Sequence, residues 1–230
     1  MDINLIQIKT AAVQYVILLL SLTVHESAHA WTADRFGDPT AKSLGRISLN
    51  PLAHIDPIGT VIFPILQFLY NIPLIGWAKP VPVNPLNLNN PRKDDLWISF
   101  AGPLSNFTLG FIFLLVAFLS IHSGIVTLQE EPNLAQMMIS EFIKYGILIN
   151  FMLGVFNLIP VPPLDGGGVL MGILPENAAR SFEKIVPYGF IILLVIFFLG
   201  LLKYLFLPVW ILLDLLIRIS GIETIFIMAG

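Results

Sequence analysis

An apolar run long enough to cross a bilayer ends in two histidines and a glutamate. The core of the run, Ala11–Leu22 (AAVQYVILLLSL), leads straight into His25-Glu26-Ser27-Ala28-His29. At ~1.5 Å per residue, a helix over residues 8–31 spans the hydrocarbon core. Residues four apart share a helix face, so His25 and His29 can grip one metal ion together. Glu26 lies beside them, where a general base for activated water belongs. Ionisable side chains are expensive at membrane depth, so such a cluster reads as functional by default.

Only 12% of the 230 residues are charged and 56% are hydrophobic, against about 25% charged in a soluble domain. A water-facing surface cannot be built from that composition, which points to a polytopic, all-α membrane protein. A net charge of −3 suggests neither nucleic acid nor a polybasic membrane anchor. The chain has no cysteine, so any metal must be held by His, Asp or Glu. The first residues lack the basic region and small-residue cleavage pattern of a signal peptide.

Further apolar stretches suggest spans over about residues 95–120, 138–158, 185–202 and 204–219 of a single domain, 1–230. Residues 58–77 (IGTVIFPILQFLYNIPLIGW) are apolar but carry Pro64 and Pro73, and read as a span or a re-entrant loop. Counting that segment gives about five to six membrane segments. Ala41–Leu49 (AKSLGRISL) and Lys79–Asn84 (KPVPVN) read as a small β element, the latter an edge strand or polyproline stretch.

Arg35, Lys42, Arg46, Lys79, Arg92 and Lys93 fall between the first and second long spans. Arg180 and Lys184 follow the third, and the connector before it has no Lys or Arg. The positive-inside rule makes both basic regions cytoplasmic. Because basic residues lie on both sides of 58–77, that segment is expected to dip in and return near the cytoplasmic side.

A zinc ion held by two histidines needs a third protein ligand and an open position. Asp165 is the best candidate, set in the Pro- and Gly-rich break Asn157-Leu158-Ile159-Pro160-Val161-Pro162-Pro163-Leu164-Asp165-Gly166-Gly167-Gly168. Irregular backbone at membrane depth is tolerated only where protein or a water cavity satisfies it. If 58–77 does not cross, the histidine motif and Asp165 reach the same face. If it crosses, they cannot meet.

HESAH in an apolar helix, AGPLSN in a middle span and NLIPVPPLDGGG after the next resemble the site-2 protease family of intramembrane zinc metalloproteases. GRISLNPLAHIDPIGT and WAKPVPVNP resemble its compact prokaryotic branch, which carries no appended soluble regulatory domain. The resemblance implies one Zn²⁺ per chain on His25, His29 and Asp165. It implies Glu26 as catalytic acid/base and Asn157 near the substrate carbonyl. Substrates would be transmembrane proteins or peptides, cleaved within a prokaryotic cell membrane by a site toward the cytoplasm. Zinc would lower the pKa of water toward ~7 and polarise the scissile carbonyl, and exposed strands could hold the peptide extended.

His54, in a loop on that same side, is a possible substrate or cavity contact. Asn106 and Gly102-Pro103 read as aids to close helix packing. Two other functions fit parts of the pattern: a polytopic transporter, where broken helices also occur, and a non-proteolytic membrane-protein-binding protein.

Overall fold

The computed structural model describes residues 5–70, 76–127 and 133–228. Three helices carry the site. Helix α1 (Leu5–Arg35) bears the histidine motif, α4 (Pro91–His122) packs beside it, and α5 (Leu134–Asn157) packs on α4. Their lengths follow from their ends. Asn90 caps α4 by accepting from Lys93 N, while Asp94 Oδ2 accepts from Asn90 N at 2.6 Å, and Pro91 sits where no N–H is needed. Asn133 caps α5 by accepting from Gln136 N at 2.9 Å.

Ile17 of α1, Phe113, Leu114 and Ala117 of α4, and Ile143, Ile147 and Phe151 of α5 form one buried cluster. Side chains such as Val16, Phe111, Leu115 and Leu119 are exposed on the outer faces. Lipid is the solvent that suits them, with the backbone satisfied inside each helix.

Helix α2 (Thr40–Ser43) and α3 (Phe63–Tyr70) lie in the connection between α1 and α4. After α5 come α6 (Asp165–Ile173), α7 (Glu176–Glu183), α8 (Gly189–Phe198), α9 (Leu202–Ser220) and α10 (Glu223–Met228). Val209 and Leu213 of α9 and Ile225 of α10 close the main cluster.

Two expectations are corrected. No strand is present among the described residues, so the small β element is not found. Part of Ala41–Leu49 is helix α2. The buried Arg46 guanidinium donates to the carbonyls of Ala53, Lys79 and Pro80, occupying acceptors that a partner strand would need. Pro80 and Pro82 have no N–H to give. The segment through Val81 is left without a ladder.

The described residues also do not reach five to six membrane segments. Among the described residues, three helices are long and apolar enough to cross, within Gln7–Arg35, Pro91–His122 and Leu134–Asn157; a fourth is reached only if the pair Glu176–Glu183 and Val186–Phe198, bent by 41°, acts as one span. Helix α8 has only 10 residues. Helix α9 carries Lys203, Asp214 and Arg218 among its 19 residues, which makes it amphipathic rather than uniformly apolar.

The segment 58–77 is described in part, and residues 71–75 lie outside the described residues. A six-residue π-helical turn, Pro57–Ile62, runs into the eight-residue α3. The two together are shorter than a crossing helix. The ends of the excursion meet: Lys79 N donates to His54 O at 2.9 Å, and the Phe63 and Trp77 rings lie edge to face at 4.9 Å.

Buried Asp38 ties this connection to α1. Its carboxylate accepts from Thr40 N, Thr40 Oγ1 and Asn87 Nδ2 through Oδ1, and from Asn84 N at 2.7 Å through Oδ2. Burial pushes the carboxyl's pKa up, but hydrogen bonds from Asn87, Thr40 and Asn84 outweigh it and hold the group below the usual carboxylate range.

Candidate metal centre

His25 and His29 stand one turn apart on α1, and Asp165 opens α6 after the Pro-rich break. One ligand atom from each lies within 4.8 Å of the others. His25 Nε2 is 3.0 Å from Asp165 Oδ2, His29 Nε2 is 3.3 Å from Asp165 Oδ1, and the two Nε2 atoms are 3.0 Å apart. Both histidines are buried.

The protons on the rings decide what these distances mean. His25 Nδ1 donates to Asn106 Oδ1 and His29 Nδ1 to Ile98 O, both at 2.6 Å. A neutral imidazole has one N–H, so each Nε2 is left as a lone pair. Asp165 Oδ2 is buried and makes no hydrogen bond despite its closeness to His25. With both rings neutral, three acceptors face one point, an arrangement that a cation would satisfy. Two imidazole nitrogens and a carboxylate oxygen are a zinc-type donor set, so the residues present fit the ion.

Gly102 of α4 makes room for this. A Cβ there would overlap His29 Nε2 and Cε1 and come within 2.6 Å of His25 Cε1. Gly168 does the same for α6 against α4, because a Cβ there would strike Ser99.

Glu26 is buried beside the histidines, and its Oε2 accepts from Val81 N at 3.0 Å. The extended segment around Val81 therefore passes directly over the carboxylate. A cavity of about 270 Å³ opens onto Asp165, lined also by Asp95, Ser99, Pro163 and Met171. A second, of about 290 Å³, lies on the other flank of α1 among Val24, Ala28, Trp31, Ile47 and Leu49.

The structure places the remaining sequence candidates as follows. Asn157 is the last residue of α5, and its Nδ2 donates to Leu153 O at 3.0 Å. His54 is almost fully buried, with Nε2 2.9 Å from Ser48 O and 3.3 Å from Ser27 Oγ; it lines neither of these cavities. Asn106, read from the sequence as a packing residue, instead contacts His25. Its position within AGPLSN carries no sign of that contact, although a fully polar amide in the middle of an apolar span was a signal.

Residues 13–198 match the family described as "Peptidase family M50". The chain is 38% identical over 192 residues to a protein of Bacillus subtilis described as "Putative zinc metalloprotease YwhC", covering 83% of this chain and 82% of that one. It is 29% identical over 178 residues to "Putative zinc metalloprotease Rip2" of Mycolicibacterium smegmatis, covering 77% of this chain and 63% of the relative. It is 27% identical over 195 residues to "Zinc metalloprotease MJ0392" of Methanocaldococcus jannaschii, covering 84% of this chain and 44% of the relative. No solved structure gives a significant match. The transporter and binding-protein readings are not favoured by these similarities.

Proposed function

The chain belongs to peptidase family M50, the site-2 proteases, and within that frame we propose that His25, His29 and Asp165 hold the zinc while Glu26 moves the proton. The family consists of zinc metalloproteases of the membrane, acting on membrane-protein substrates. The observation that carries the assignment is the convergence of two Nε2 lone pairs and an unbonded carboxylate oxygen, with both Nδ1 protons committed elsewhere.

When bound, zinc supplies Lewis acidity that polarises a peptide carbonyl and makes water a stronger acid. The chain's own residues do the rest. Val81 N–H holds Glu26 Oε2, leaving Oε1 to take the proton of the attacking water and return it to the leaving amine nitrogen as the C–N bond breaks. The family resemblance gives Asn157 the role of donor to the developing oxyanion, which requires its Nδ2 to exchange Leu153 O for the substrate. The cavity beside Asp165 gives an unwound peptide somewhere to lie.

The site faces the cytoplasm in this proposal. Lys42, Arg46, Lys79 and Arg92 cluster on the side where α1 ends, and the positive-inside rule assigns that side. The contact between His54 and Lys79 supports a segment that leaves and returns on one side.

The decisive experiment separates binding from chemistry. Glu26→Gln should keep zinc at wild-type occupancy and lose cleavage of a reconstituted transmembrane substrate. His25→Ala, His29→Ala and Asp165→Ala should each lose the metal. Wild-type turnover in Glu26→Gln, or full zinc occupancy in Asp165→Ala, would overturn the assignment.

A further inference from the structure

Asn106 on α4 and Asn150 on α5 are both fully buried, in the middle of apolar helices. Buried amides of this kind persist only when they are hydrogen-bonded. Asn106 Oδ1 faces His25 Nδ1 at 2.6 Å. Its Nδ2 faces two acceptors, Ser21 O at 3.2 Å and Asn150 Oδ1 at 3.1 Å. Asn150 Nδ2 in turn donates to Gly146 O at 2.8 Å.

We propose that Asn106 and Asn150 form a relay that fixes the proton of His25 on Nδ1 and thereby delivers its Nε2 lone pair to the metal. Both are positioning residues acting through His25, and the proposal rests on the metal reading of the site. The polarity of the chain is set by its far end. Gly146 O and Ser21 O are main-chain carbonyls, which can only accept. Asn150 must therefore point Nδ2 at Gly146 and Oδ1 at Asn106. Asn106 must then point Nδ2 at Asn150 and Ser21, and Oδ1 at His25. Turning the Asn106 amide over would set its oxygen against two acceptors with no proton available. The fixed acceptor that remains for His25 dictates which ring nitrogen carries hydrogen.

His29 reaches the same state by a shorter route, donating directly to the Ile98 carbonyl. That difference supplies an internal control, because no residue of the relay touches His29 Nδ1.

The test measures zinc affinity by chelator competition on the full-length protein in detergent. Asn106→Leu, which removes the acceptor, should weaken zinc binding about ten- to hundredfold, the usual loss when an outer partner of a ligating histidine is removed. Asn106→Asp keeps an acceptor for His25 but sets its second oxygen against Ser21 O and Asn150 Oδ1, so it should bind zinc better than Asn106→Leu yet recover only part of the loss. Asn150→Leu, remote from His25, should weaken zinc by a smaller factor by freeing the Asn106 amide to turn. A purely structural knot between α4 and α5 would lower thermal stability in all three without ranking zinc affinity by acceptor strength.

A second measurement does not depend on the variants folding. In zinc-loaded wild type labelled with ¹⁵N-histidine, His25 should show a deshielded, exchange-protected proton on Nδ1. In the variants that fold, His29 signals should stay unchanged. Wild-type affinity in Asn106→Leu, an Asp variant no better than Leu, or a His25 proton on Nε2 would each overturn the relay. Failure of the wild type to bind zinc would instead sink the metal assignment itself.

Discussion

Replacing Gly102 by alanine adds one methyl group at the place where the centre has no room for it. The new Cβ would overlap His29 Nε2 and come within 2.6 Å of His25 Cε1. Neither ring can simply swing away, because each is anchored through Nδ1 at 2.6 Å, one to Asn106 and the other to Ile98. Without metal, a ring can tilt at the cost of part of one hydrogen bond. With metal, both Nε2 atoms must aim at one point, so the overlap falls on the loaded state. Overpacking by a methyl group in a filled interior costs ~1–3 kcal/mol. At ~1.4 kcal/mol per decade, that is about a five- to 150-fold loss of zinc affinity. Chelator competition on purified Gly102→Ala reads it directly, and thermal unfolding of the zinc-free protein should change far less than that of the loaded one. Wild-type zinc affinity in Gly102→Ala would refute the claim that this glycine is there to admit the ligands.

Val81→Pro removes the donor to Glu26 Oε2; a lost hydrogen bond to a charged group is worth ~1.5–3 kcal/mol, so kcat on a model substrate should fall about tenfold or more while zinc occupancy holds. Asp38→Asn should destabilise the folded protein at pH 7 by ~1.5–3 kcal/mol, because an amide presents a donor where only acceptors fit. Since the folded-state pKa of Asp38 is depressed, its contribution is present above the unfolded value of about 3.9 and fades as pH falls through the folded value; Tm differences between wild type and variant should narrow on acidification, and a pH-independent gap would contradict this. With no native cysteine, Ser43→Cys and Asn89→Cys should react with an impermeant thiol reagent from one side of the membrane and Ser123→Cys, beyond α4, from the other. Labelling of Ser43→Cys and Asn89→Cys from opposite sides would show that the intervening segment crosses.

The parts legible in the sequence were those whose chemistry is local. His25, Glu26 and His29 stand out because helical spacing alone puts them together, and Asp165 because two histidines need a third ligand and the family resemblance supplies one at that position. The long spans at α1, α4 and α5 follow from length and hydropathy. The β element failed because alternation in AKSLGRISL and KPVPVN predicts extended backbone and says nothing about what satisfies it. Arg46, with no acidic side chain between Asp38 and Asp56, gives no hint that it takes three carbonyls from other residues. The turn at Gly200, with φ of 66°, falls close to the division between 185–202 and 204–219, but α8 is only 10 residues long and α9 carries three charges, which apolar content alone does not weigh. The contact of Asn106 with His25 was hidden for a third reason: which face of a helix meets a ligand is a tertiary fact.

Three of the four chemical groups ride on one uninterrupted helix, α1, while Asp165 belongs to a separate element beyond the break. An ion held by all three proposed ligands would tether α1 to α6 across the intervening helices. Binding only to the folded form, it would add ~2.7 kcal/mol to stability at a hundredfold excess over Kd and ~4.1 kcal/mol at a thousandfold, against a typical total of about 5–15 kcal/mol. Zinc supply then sets the lifetime of the protein as well as its activity. In a metal-starved cell the link from α6 to α1 would be lost while the packing of α6 on α4 remains.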